Sequence, residues 1–291
     1  MKLIDQTSVE LQSSAIEPAK TMLNDSILSR VSREYSASIA RRKICEYVQP
    51  TALRRHMIVD YEGEDFLMCS WGFLMECLKI NAGDYVHFAS ACFPEFVAMN
   101  LDDQRLMLKN FATRLYEVET HCRTFRKFGS LDGPIYMGTL TTYQDSRNFK
   151  FFIEEESPDF FEDIAKSMNH YTDRIRSLVG PILMSSQFTD TEYDAIYALA
   201  VWQIDPNQDL PECMVSMCES VRLRLFDALK EYYREELGLD DYSVRLGNMI
   251  TFEHTIQESM SLLAEEMVAY NLTGLLDSDA SFLRTVSQFP L

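Results

Sequence analysis

The stretch Phe88–Phe111, FASACFPEFVAMNLDDQRLMLKNF, decides the fold. It joins the end of one helix to the start of the next. Upstream of it, Leu74, Leu78, Ala82, Tyr85, Ala89 and Cys92 recur every three or four residues, which puts them on one helical face. Gly83 weakens that helix by about 1 kcal/mol relative to alanine, and Pro94 marks its end. Downstream, Asp102 and Asp103 suit a helix N-terminus, where carboxylates meet unpaired N–H groups and the positive end of the dipole. Leu106, Leu108, Phe111, Leu115 and Val118 continue that second helix. It is apolar nearly all round, as expected of a central helix covered on both sides.

Working outward, Gly129–Gln144 (GSLDGPIYMGTLTTYQ) holds three of the ten glycines. Ile135, Met137, Leu140 and Thr142 roughly alternate there, which predicts one strand pair or hairpin. Helical text resumes at PDFFEDIAKSMNHYTDRIRSLVG, with Gly180–Pro181 read as its stop. Thr189 and Glu192 fit a capping box for the next helix. Two longer amphipathic segments follow, one ending at Gly238 and one running from Ser243 to Leu272. A short piece, ASFLRTVSQF, comes after Gly274. The expectation is an all-α chain of about ten helices at the usual helix length. No linker divides it, so residues 41–291 are read as one domain behind an N-terminal tail or linker, 1–40.

Composition narrows the function. The chain has 291 residues and a formal net charge of −18, which argues against direct binding to nucleic acid or an anionic membrane. Seven cysteines, an odd number with no C-x-x-C, make neither a disulfide framework nor a zinc set and point to a reducing compartment. No run of 18 apolar residues predicts a membrane span. Phosphate-cradling, dinucleotide, zinc-hydrolase and nucleophile-elbow motifs are missing. The closest metal-like spacing, His121–Cys122, is two adjacent residues on different helix sides. No cofactor and no catalytic residue is nominated.

The deciding stretch resembles the signature of nuclear receptor ligand-binding domains. That signature runs P-x-F, Leu, D-Q, then L-L-K, and here reads Pro94 and Phe96, Leu101, Asp103–Gln104, and Leu106 to Lys109 with Met107 inside. PDFFEDIA, FTDTEYDAIYALAVWQIDP and RLGNMITF resemble later helices of the family in the right order. The resemblance covers about residues 60–286 and is closest to the divergent, expanded nematode type. It implies a layered antiparallel helical sandwich with one small β-hairpin. It also implies a small lipophilic ligand, with a fatty acid as one candidate, transcriptional co-regulators as partners, and a place in the nucleus. Dimerisation, with itself or another receptor, would use the region Arg245 to Ala269.

Site residues carry over position by position. The co-regulator groove would fall on His87, Ala91, Leu101, Gln104, Arg105, Leu108 and Lys109, completed by Phe282, Leu283 and Val286 of the last helix. Both charges that usually clamp a co-regulator helix are missing, because Ala91 replaces the lysine and Phe282–Val286 contains no glutamate. The ligand anchor would be Arg123, whose guanidinium fork suits a carboxylate. Leu78, Ala82, Thr113, Tyr116 and Thr120 would line the same cavity. The sequence Leu272–Leu276 also spells LxxLL, the motif such grooves bind, although Gly274 disfavours a helix there. The rival reading is a ligand-independent interaction or dimerisation scaffold with the same fold.

Overall fold

The computed structural model describes residues 26–49, 57–153, 159–205, 208–277 and 279–287. Residues 1–25 of the expected tail lie outside the described residues. Ten α-helices and four short strands are found among the described residues.

The central helix, α4 (Leu101–Phe128), forms for reasons already visible in its sequence. Asn100 caps it by accepting from the Asp103 N–H at 2.9 Å. Asp102 and Asp103 fill its first turn, Arg126 and Lys127 its last, and Gly129 ends it with φ 74°. Met107, Phe111 and Leu115 are fully buried along its length, each contributing about 1.5–3 kcal/mol of apolar burial. Before it come α2 (Trp71–Cys92) and the one-turn α3 (Pro94–Ala98).

Layers follow from which helices are apolar on which sides. α1 (Ile27–Tyr47) packs on α2 at one face. α4 lies against α7 (Asp190–Trp202), which also packs on α8 (Glu212–Glu235). α6 (Phe161–Ser186) packs on α9 (Ser243–Leu272), which also meets α4. Ala195 to Trp202 are all buried, so α7 is enclosed on every side, even more completely than α4. Its last carbonyls are caught by α4: Arg114 Nη1 donates to Gln203 O at 2.7 Å and Ala200 O at 3.4 Å. The Thr189–Glu192 capping box is present at its start.

Three expectations are corrected. The boundary at residue 40 falls inside α1, whose Val31, Ser38 and Arg42 are fully buried; residues 27–40 are helix packed by one face on α2. Pro181 does not stop its helix, because α6 continues to Ser186. Proline forfeits one N–H bond, and here its ring stands on the exposed side. The single hairpin is a four-stranded sheet, in the order β1–β2–β4–β3.

β1 (Met57–Tyr61) and β2 (Glu64–Met68) pair antiparallel around Glu62–Gly63, both with positive φ. That is the primed two-residue turn which matches strand twist. β3 (Ile135–Met137) and β4 (Tyr143–Asp145) form the other hairpin, so Leu140 and Thr142 sit in its turn. Gly138 must be glycine, because a Cβ there would stand 2.9 Å from Cys69 Sγ. Glu46, at the end of α1, holds the turn by accepting from Leu140 N–H and from the hydroxyls of Thr139 and Thr141.

All seven cysteines are free. Burial pushes the thiols of Cys69 and Cys122 up to about 12, so they stay protonated and act as small core residues.

Candidate functional site

Below the middle of α4 the helices part around a cavity of about 160 Å³. Two helical faces make its walls. α2 contributes Leu74, Leu78, Ala82 and Tyr85, spaced by four, four and three residues. α4 contributes Thr113, Tyr116, Glu117, Thr120 and His121, again one face of a 3.6-residue period. Phe149 and Phe152 of α5 (Phe149–Ile153) close one end. Met168 and Tyr171 come from α6, and Met267 and Tyr270 from α9.

The last helix, α10 (Ala280–Val286), lies against α4 and lends Phe282, Leu283 and Val286 to the lining. Leu283 and Val286 are buried. Their side chains therefore face the chamber and are not part of an open outer groove. Lys79 of α2 reaches Asp279, the residue before α10, at 3.0 Å.

The cavity brings together Leu78, Ala82, Thr113, Tyr116 and Thr120, the five lining residues expected from the sequence. Arg123 is not among them. Its Nη1 turns to Glu119 at 3.5 Å, two residues round the helix from Glu117, in a buried network on the α1 side. Arg42 donates to the same Glu119 with both terminal nitrogens, Nη1 at 2.7 Å, and Tyr85 Oη donates to it at 3.3 Å. Arg123 is held beside a structural carboxylate and stands outside the cavity lining, so the structure does not place it as the ligand anchor.

The polar end of the cavity is one the sequence reading missed. Glu117 Oε2 accepts from Tyr171 Oη at 2.9 Å and lies 3.1 Å from His121 Nε2. Glu117 and His121 are almost fully buried. Glutamate and histidine four residues apart on an otherwise apolar helix face were the available signal.

The expected groove residues lie on the opposite, outer surface. His87, Ala91, Leu101 and Arg105 are exposed, Leu101 at 61%. Gln104 donates to the carbonyls of Phe96 and Met99, fixing α3 against α4, and Arg105 pairs with Asp102. Leu108 and Lys109 are half-buried on the same helix. The LxxLL stretch is not a docking helix. Gly274 has φ 75°, Leu275 and Leu276 are buried beside Trp71 and Leu74, and Leu272 alone is exposed.

The family profile for the ligand-binding domain of nuclear hormone receptor matches residues 68–273. The chain belongs to the nuclear hormone receptor family. Among curated relatives, nuclear hormone receptor family member nhr-43 of Caenorhabditis elegans is 24% identical over 66% of this chain and 43% of its own length. Family member nhr-86 of the same organism is 24% identical over 67% of this chain and 49% of its own length. The chain thus spans less than half the length of either relative. Within this receptor domain, no helix among the described residues is long and apolar enough to cross a membrane. No cluster of metal-binding side chains occurs among those residues either.

Proposed function

We propose that this domain senses a compact lipophile for a transcription regulator working in the nucleus. The ligand enters the chamber under α4, and its presence alters how α10 sits. Because α10 packs on α4, whose first turns carry Leu101 and Arg105 on the outer surface, a ligand that favours one seating changes, through α4, the affinity of that surface for a co-regulator helix. A ligand shifts such an equilibrium only by its differential affinity for the two seatings. No catalytic role is assigned.

The observation that carries this reading is that Phe282, Leu283 and Val286 are themselves walls of the cavity. Whatever fills the space touches the last helix directly. The free volume is close to that of engineered apolar cavities that take up benzene. It favours a compact ring system, and a long fatty-acid chain would need side chains such as Met75, Met168 and Met267 to move aside.

A scaffold that needs no ligand is the second reading. Ala91 and the acid-free segment 282–286 favour it, because neither supplies a charge for clamping a partner helix. Fluorescence titration of a labelled LxxLL peptide, with and without saturating naphthalene, separates the two. The sensor reading expects weak peptide binding that changes with naphthalene. Affinity indifferent to naphthalene and to cavity-filling substitutions supports the scaffold.

A further inference from the structure

The cavity wall carries one acidic side chain, Glu117, and no lysine or arginine among the described residues. The cations on neighbouring faces stand outside the lining and sit beside other groups. Arg123 pairs with Glu119. Arg176 donates to the carbonyls of Leu131 and Gly133 and to Tyr136 Oη. An acidic ligand head would meet a carboxylate without a counter-charge, the costliest arrangement in a dry site.

The same wall has unspent hydrogen-bonding capacity. Glu117 and Tyr171 are already joined, and His121 Nε2 faces Glu117, but His121 Nδ1 is buried with no partner. Trp71 Nε1, on the α2 wall, is likewise buried and unpartnered. A buried polar atom left unpaired is unfavourable, and a ligand group that pairs with it recovers that loss. Every other wall element near them is apolar, hydroxyl-bearing or amide, so the complementary group is small and uncharged.

We propose that the ligand is an uncharged ring lipophile bearing a hydroxyl or similar hydrogen-bonding group, seated on His121 and Glu117 with Tyr171 beside them, and that carboxylates are rejected. This deepens the sensor reading and rests on it. A hydroxyl can both donate and accept, so it satisfies His121 Nδ1 whichever ring nitrogen holds the proton. Glu117, His121 and Tyr171 are then specificity-determining residues, and the apolar walls supply the bulk of the affinity.

Calorimetric titration of the whole chain at neutral pH with naphthalene, 2-naphthol and 2-naphthoate tests this, since the three share one ring system. The expected order is 2-naphthol at least tenfold tighter than naphthalene, with 2-naphthoate weakest. Glu117→Gln should narrow the naphthol advantage and admit 2-naphthoate. Tyr171→Phe provides the same comparison with a smaller disturbance to folding, and should reduce the naphthol advantage severalfold. Equal binding of naphthalene and 2-naphthol, or tighter binding of 2-naphthoate, overturns the polar-end assignment while leaving the sensor reading standing. No binding of any of the three overturns both.

Discussion

Lys79 Nζ lies 3.0 Å from Asp279 Oδ1, joining α2 to the start of the last helix. Glu76, one turn earlier on α2, holds the same ammonium at 2.6 Å. Its hydrogen bond, together with the one to Asp279, keeps the Lys79 pKa above its ordinary value despite partial burial. The lysine is more than a third exposed, so the contact with Asp279 is worth at most about 1 kcal/mol. Lys79→Ala should therefore speed hydrogen exchange of the 280–286 amides up to about fivefold while leaving α4 unchanged. Unaltered exchange in α10 would show that apolar packing alone seats it.

Arg42, Glu119 and Arg123 form a buried charge cluster at the α1–α4 contact. Burial alone would raise the Glu119 carboxyl, but the Arg42 and Arg123 charges outweigh it and hold the group below the usual glutamate value. A depressed folded pKa contributes stability above the unfolded value, about 4.3, and loses it as pH falls through the folded value. Glu119→Gln should thus cost about 3–5 kcal/mol at pH 7, the usual penalty for breaking a buried pair. The deficit should shrink below about pH 4 in denaturant titrations. A deficit that is the same at pH 3 and pH 7 would contradict the charge-based account.

Pro181 sits inside α6 on its exposed side. Proline in a helix interior is about 3 kcal/mol less favourable than alanine, although natural kinks recover part of that. Pro181→Ala should raise Tm by a few degrees, as read by circular dichroism. A lower Tm would mean that the Pro181 ring itself contributes to the stability of α6.

Much of the fold was legible because local signals agreed with tertiary demands. The aspartate-rich start of α4 and the Thr189–Glu192 box each specify an element before any packing is known. Other features needed long-range information. The Glu62–Gly63 hairpin is a short signal whose partner strand, β4, lies some eighty residues away. Pro181 as a stop failed because helix packing overrode local propensity. At the site, the α2 and α4 residues expected together do border one cavity, since one helical face is a local property. Arg123 misled although its partner, Glu119, is only one turn back on the same helix; that Glu119 is buried and also holds Arg42 of α1 was not readable from local spacing. Glu117 and His121 were readable as a pair, but only the enclosure by α6 and α10 turns them into a cavity wall.

Ligand sensing requires a cavity that is apolar and fillable. Calorimetric titration of naphthalene into the native chain and into Ala82→Leu/Ala112→Leu tests it most directly, since both alanines line the space. Wild type should bind one molecule, and the filled variant should fold with equal or higher stability and bind none. Equal binding by both proteins, or none by either, would contradict the account.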